Sequence, residues 1–178
     1  MGLFLTVVAT FLLVACSGDS DETLDFRSVL HVETGTILSL GDEKAQFEEV
    51  LDEAAHHEIL PSGKESYVFL PSGEEGGVEG DVVRVIFSDG VAITITMQHG
   101  SGFELKDISF DMGREEISNH FDESFSQFIR AYYPSGDIIP MDDLMEGSFD
   151  EGYYIVVITI SSEDDRMTTV TLGRYIRD

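Results

Sequence analysis

The feature that most constrains the fold of this chain is an internal repeat. Residues 38–54 (LSLGDEKAQFEEVLDEA) recur in degenerate form as residues 108–124 (ISFDMGREEISNHFDES), at an offset of 70 residues. Only three positions of the window are identical, so the shared order of the elements after each copy carries more weight than identity. The repeat predicts two small units in a chain of 178 residues.

Each copy predicts the same series of elements. A helix ends at a Pro-Ser-Gly stop, an acidic stretch with glycine comes next, and a hairpin closes the unit. In the first copy the hairpin turn is Asp89-Gly90, a strong hairpin signal. The apolar positions with helical spacing are Phe47, Val50, Leu51 and Ala54 in the first copy, and Ile117, Phe121, Phe125, Phe128 and Ile129 in the second.

From this order we predict an α+β fold. Two tandem helix-plus-antiparallel-hairpin repeats, residues 24–106 and 107–178, would form one sheet with helices on one face. The second helix would be the longer one, over residues 114–131, whereas the first would end near His56, His57 and Glu58.

The charge of the chain excludes one class of partner. There are 35 acidic residues against 10 basic ones, a net charge of −25. Nucleic acid is therefore not an expected partner, because neutralising phosphates needs clustered lysine and arginine. The acidic residues alternate with apolar ones along the chain, which is typical of a solvated acidic surface. The alternative is that they attract a cationic protein or a divalent metal.

The first residues predict where the protein lies. Residues 3–14 form an apolar run that is shorter than the ~20 residues of a membrane-spanning helix and typical of a secretion signal. The run ends in Leu-Val-Ala-Cys at 13–16, which resembles the lipobox of bacterial lipoproteins, where the cysteine is acylated and becomes the new N-terminus. Cys16 is the only cysteine of the chain, so an internal disulfide is excluded.

We therefore predict a lipoprotein signal peptide over residues 1–16, a polar tether over residues 17–23 and a lipid anchor at Cys16. The protein would sit on the bacterial cell membrane or outer membrane, facing outside the cytoplasm. Met1-Gly2 supplies no basic residue before the apolar run, which departs from ordinary signal peptides. Residues 1–6 also fit the loose myristoylation pattern, but the apolar run after them favours secretion.

Two short motifs carry a family resemblance. Residues 40–47 (LGDEKAQF) and 110–117 (FDMGREEI) are similar to a motif of the β-lactamase-inhibitor-protein fold, which the small lipoprotein subunit of the outer-membrane barrel-assembly machine shares in one copy. The first copy keeps Gly41 and Lys44, and the second keeps Met112 and Arg114. The resemblance implies helices packed against a bent antiparallel sheet, and it transfers no inhibitory contact residue.

Alternation along the predicted strands indicates a polar sheet face. Side chains that alternate with Ile93, Ile95 and Met97 point away from the core. We predict that a partner binds this face together with the acidic stretches 74–81 and 142–151, and not the helices, whose apolar stripes pack in the core. The face would expose Arg84, Thr94, Thr96, Gln98, Thr169 and Thr171. Residues 82–87 and 154–160 are apolar on both faces, which predicts either central strands or strands whose outer face binds something.

No pattern in the sequence supports a catalytic, cofactor or metal site. His56, His57 and Glu58 could ligate a metal with one more donor, but histidine at a helix C-terminus also interacts with the helix dipole. His120 is interpreted as a packing residue. The acidic stretches 74–81 and 142–151 could bind a divalent cation weakly, although they lack the spacing of a calcium loop.

Three functions are compatible with these patterns. The first is a non-catalytic, lipid-anchored binding or assembly module of a bacterial envelope. The second is an inhibitor of a secreted enzyme, which the family resemblance implies. The third is an envelope hydrolase with paired carboxylates, for which the sequence gives no reason to choose a pair.

Overall fold

The computed structural model describes residues 26–70, 82–105, 108–121, 127–147, 149, 152–163 and 165–175. The predicted signal peptide, Cys16 and the acidic stretch 74–81 lie outside these residues. The described helices are α1 (Lys44–Leu51), α2 (Arg114–Phe121) and α3 (Met141–Glu146). The strands are β1 (Ser28–His31), β2 (Thr36–Ser39), β3 (His56–Ile59), β4 (Glu65–Phe69), β5 (Val83–Ser88), β6 (Val91–Gln98), β7 (Phe103–Glu104), β8 (Gln127–Tyr132), β9 (Ile138–Ile139), β10 (Tyr153–Ile160) and β11 (Met167–Tyr175).

Eight strands form one sheet in the order β3-β4-β5-β6-β11-β10-β8-β9, and every neighbouring pair is antiparallel. The last strand in the sequence, β11, therefore lies in the middle of the sheet and joins its two halves through β6. Five residue pairs make this junction, and the middle one pairs Thr96 with Thr171.

The main core lies between this sheet and a second, three-stranded sheet of order β2-β1-β7. Val29, Leu38 and Phe103 of the small sheet are buried in the same apolar cluster as the inward residues of the large one. Two helices complete this layer, since Phe47 of α1 and Ile117 of α2 are fully buried in the cluster. Both halves of the chain thus share one core.

The predicted α+β fold with helices on one face is wrong. The described chain is mostly β, with two sheets and three helices of no more than eight residues. A second sheet, and not a layer of helices, provides much of the apolar cover of the main core. The third helix, α3, packs on the opposite face of the large sheet, where Leu144 contacts a separate small core.

Two predicted helix boundaries are also wrong. The expected helix over residues 114–131 does not reach its predicted end: the structure describes α2 over Arg114–Phe121, and Gln127–Tyr132 pairs with β10 as strand β8. Its aromatic and β-branched residues favour a strand once a partner strand is present. The first helix ends at Leu51, because Asp52 adopts a positive φ of 61° that no helix continues. His56 and His57 consequently lie in strand β3.

The two halves keep the predicted offset but differ in strand order. Positions 44 and 114, which begin α1 and α2, differ by 70, as do positions 83 and 153, which begin β5 and β10. In the first half β3, β4, β5 and β6 are neighbours in chain order. In the second half β8 lies between β9 and β10. The connection from β9 to β10 must therefore cross β8.

Candidate binding face

The six residues predicted for the binding face lie together on one face of the large sheet. Arg84 pairs with Thr96, and Thr96 pairs with Thr171. Gln98 pairs with Thr169 in the same junction, and Thr94 precedes Thr96 by two residues. Directly paired residues, and residues two apart in a strand, share a face. We call these six residues the threonine face.

The centre of the threonine face is the contact between Thr96 and Thr171. Their Oγ1 atoms lie 3.2 Å apart, and either hydroxyl can donate. A hydroxyl donates once and accepts twice, so this contact leaves capacity for a hydrogen bond to a partner. Both side chains are half-buried, whereas Arg84 beside them is exposed. The face is therefore polar and accessible from solvent.

The same face becomes apolar toward β10 and β8. Thr171 pairs with Val157, which pairs with Ile129. In the next row Gly173 pairs with Ile155, and a Cβ atom at Gly173 would approach Ile155 Cγ2 to 3.1 Å. A larger residue at position 173 would therefore press on the Ile155 side chain. β10 is internal to the sheet and its outer residues are half-buried, which agrees with the interpretation of residues 154–160 as a central strand. Binding by its outer face stays a prediction.

A second, small core lies at the end of this face. Ala131, Ile139 and Phe149 are buried together, with Leu144 of α3 and Tyr153 packed against them. Ala131 pairs with Ile155, so this core lies on the outer face and not in the main core. The ring of Tyr153 also stacks on Tyr175, with centroids 4.9 Å apart and planes 8° apart. Burial raises the pKa of Tyr153 above its ordinary value.

Beside the small core lies a groove of about 330 Å³, which we call the α3 groove. Among the residues that line it are Ile129, Ala131, Ile138, Ile139, Met141 and Leu144. Arg130 also lines it, but Arg130 pairs with the core residue Val156, so the register places its side chain on the other face. The α3 groove thus lies on the same face of the large sheet as the threonine face, at the end where that face is apolar.

The sequence patterns did not predict this groove, because they indicate an acidic loop over residues 142–151. The structure forms helix α3 there, with Pro140 before its first residue and Gly147 at its C-terminus with a φ of 72°. Proline before a helix and glycine after it are the signals that could have predicted α3. Asp142 and Asp143 in the first turn agree with the helix dipole.

The histidine pair of β3 belongs to a different cluster. The ring of His57 stacks on Tyr67, with centroids 4.3 Å apart, and its Nε2 lies 3.4 Å from Glu65 Oε2. Tyr67 donates a hydrogen bond of 2.7 Å to Glu65. This bond holds the pKa of Glu65 below its ordinary value and raises the pKa of Tyr67. Lys44 Nζ lies 4.4 Å from the Tyr67 ring centroid.

These contacts tie α1, β3 and β4 together, and they show a packing role for the cluster. Hydrogen bonding to Glu48 raises the pKa of Lys44, and the two side chains form an i,i+4 ion pair of 3.0 Å. Among the described residues, no group of three or more His, Cys, Asp and Glu side chains could hold a metal ion. Divalent-cation binding by residues 74–81 or 142–151 stays a prediction.

Two further predictions concern residues that the structure does not describe or describes in part. Cys16 and the lipobox fall outside the described residues, and so does the side chain of His120. In the part of the chain that the structure describes, no helix is both long enough and apolar enough to cross a membrane.

The chain was compared with known protein families, curated proteins and solved structures. None of them matches it. The resemblance to the β-lactamase-inhibitor-protein fold therefore stays a prediction, and a function has to be inferred from the geometry of the sheet face.

Proposed function

We propose that this protein is a non-catalytic binding or assembly module, anchored through lipid at Cys16 and facing outside the cytoplasm of a bacterium. Its partner is a cationic protein, and it binds on the threonine face. The observation that carries this proposal is the position of six polar residues on one accessible face, over a sheet whose other face is buried in the main core.

Charge supports the choice of partner. With a net charge of −25, the protein attracts basic surfaces at long range and repels acidic ones, which increases the rate of encounter with a cationic protein. The attraction comes from the net charge of the whole protein and not from the threonine face, whose one charged residue, Arg84, is cationic. At the contact itself the threonine hydroxyls and the Gln98 amide supply neutral hydrogen-bonding groups. Such groups lose less on desolvation than charged side chains do.

The anchor is tested by labelling with palmitate. The wild-type chain is expected to incorporate the label and to fractionate with membranes, whereas Cys16→Ala releases it into the soluble fraction. A Cys16→Ala chain that stays in the membrane fraction, with no label in the wild type, contradicts the anchor. Val32→Ala, an exposed apolar position of the described domain, serves as the labelled control.

The binding face is tested by in vivo cross-linking and capture with the full chain. Thr169→Lys places a positive charge opposite Gln98, and we expect it to abolish recovery of the partner. Thr36→Lys, in β2 of the small sheet, is the matched control and should retain the partner. Equal recovery by both variants, with native circular dichroism, overturns the proposal for this face.

A further inference from the structure

The α3 groove combines three properties that the threonine face lacks. The first is its shape. Its volume of about 330 Å³ is at the lower end of the range for ligand pockets. The groove therefore suits one large side chain better than a molecule as large as a cofactor. Its lining includes Ile129 and Ala131 of β8 and Leu144 of α3.

The second property is exposed apolar surface. Among the described residues, seven large hydrophobic side chains are exposed, and three of them, Ile138, Met141 and Met145, belong to β9 and α3. Met145 is 80% exposed. Clustered apolar exposure marks interaction sites, whereas scattered exposure does not. Methionine is common on such surfaces because its flexible thioether adapts to the partner's shape.

The third property is the charge of the rim. Asp142, Asp143 and Glu146 are exposed on α3, the helix that walls the groove. An apolar groove with an acidic rim complements a basic segment that carries an apolar side chain. A second copy of this chain is a poor occupant, because two molecules of net charge −25 repel each other.

The groove is also continuous with the threonine face. Paired residues lead from Thr96 through Thr171 and Val157 to Ile129. Strands in a sheet lie 4.7–4.9 Å apart, so this row spans about 14 Å. A partner lying across the threonine face can therefore place a neighbouring side chain in the groove without bending sharply.

We propose that the α3 groove receives one aromatic or aliphatic side chain from a lysine- or arginine-rich segment of the partner. This inference rests on the proposed function, and it assigns the affinity of the complex mainly to one apolar side chain of the partner. The apolar anchor supplies most of the binding free energy, since it is buried on binding. The acidic rim favours partners in which lysine or arginine flanks that side chain, and it increases the rate of association.

The test uses the full chain in nanodiscs of zwitterionic phosphatidylcholine, with empty nanodiscs as background. The probe is a short fluorescein-labelled peptide in which one phenylalanine is flanked by lysines. Two control peptides carry serine in place of the phenylalanine, or glutamate in place of the lysines. Fluorescence anisotropy should show binding of the probe, with both controls at least about tenfold weaker.

Matched variants locate the binding. Ile138→Lys, on edge strand β9, should weaken binding about tenfold or more, whereas Ile59→Lys makes the same change on edge strand β3 and should leave it unchanged. Asp142→Asn with Glu146→Gln should weaken binding and flatten its salt dependence. Glu49→Gln with Glu115→Gln, exposed on α1 and α2, is the control for charge.

Four results overturn the proposal. Equal binding of the phenylalanine and serine peptides shows charge attraction alone, and equal binding by the Ile138→Lys and Ile59→Lys variants places the site elsewhere. Concentration-dependent dimerisation of the chain that Ile138→Lys abolishes shows that the groove holds a second copy. Partner capture lost with Thr169→Lys but kept with Ile138→Lys refutes the groove while leaving the proposed function intact.

Discussion

The two ends of the eight-stranded sheet are built differently. At one end, edge strand β3 presents His56, His57, Glu58 and Ile59, all of them exposed. At the other end, β9 is only two residues long, and α3 packs beside it over a small core with Ala131 and Phe149. Although the two halves have corresponding elements along the chain, the first half ends in a polar edge strand and the second in an apolar groove.

The cause of the difference is the order of the strands. In the first half the strands are neighbours in chain order, so no connection needs to cross a face. In the second half β9 lies outside β8, and the chain must pass over β8 to reach β10. Helix α3 makes that return and contacts β8. A binding groove can therefore arise from a change in connectivity, without any change in the central strands.

The largest effect should come from the junction that both halves share. Ile95 and Leu172 pair with each other and are fully buried. Either Leu172→Ala or Ile95→Ala should lower the free energy of unfolding by about 2–5 kcal/mol, in a single transition, because the core is continuous. Denaturant unfolding measures this, with Val32→Ala at an exposed position as control. Two separate transitions would contradict a shared core.

A smaller effect is expected in the small core of the second half. Leu144 is half-buried against Ala131 and Ile139, so Leu144→Ala should cost about 1–2 kcal/mol. The loss should also increase amide hydrogen exchange in α3 and β9 while exchange in β5 and β6 stays unchanged. Increased exchange throughout the sheet would show instead that the small core supports the whole domain.

Close packing at the junction predicts a further effect of about 1 kcal/mol. In Gly173→Ala the new Cβ atom would lie 3.1 Å from Ile155 Cγ2, so the Ile155 side chain must move by a few tenths of an ångström. In Gly113→Ala the nearest atom is 3.7 Å away, an ordinary contact. Thermal unfolding of the two variants should therefore differ. Equal melting temperatures would mean that the outer face has free space at Gly173.

The smallest expected effect is the pH dependence of stability that Glu65 and Tyr67 produce at the polar end of the sheet. The pKa of Glu65 is lowered in the folded protein, so its contribution to stability is present above its ordinary value of 4.5 and is lost as the pH falls through the folded value. The pKa of Tyr67 is raised, so its contribution is present below its ordinary value of 10.0 and is lost as the pH rises through the folded value.

Tyr67→Phe removes the hydrogen bond to Glu65 and should flatten both limbs of a plot of melting temperature against pH. Glu65→Gln should flatten the acid limb. Glu163→Gln, at an exposed position between β10 and β11, is the control and should keep the wild-type profile. Unchanged acid and alkaline limbs in Tyr67→Phe would mean that the bond does not contribute to stability.

The sequence predicted the strands around the junction better than it predicted the helices. The Asp89-Gly90 turn and the alternation of Ile93, Ile95 and Met97 depend on local chemistry, and β5 and β6 form where they are expected. The face positions of Thr94 and Thr96 are set by the same alternation. Pairing of Thr96 with Thr171, 75 residues away, could only be inferred from the assumption of one continuous sheet.

The errors have a common physical origin. Residues 114–131 have apolar positions with helical spacing, but Ile129 and Ala131 find a strand partner in β10, and this distant contact overrides the local pattern. The sequence does not predict the small sheet, because β1 and β2 are four residues each, which gives too few positions to establish a period. The α3 groove depends on strand order, which no local pattern encodes.

The central position of β11 has a consequence for the order in which the protein folds. Residues 167–175 are the last described strand to be synthesised, and until they emerge β6 and β10 each lack a neighbour at the middle of the sheet. Contacts this distant in sequence close slowly. The sheet of the growing chain therefore stays incomplete until residues 167–175 have emerged, and an incompletely folded chain is what the proposed secretion requires.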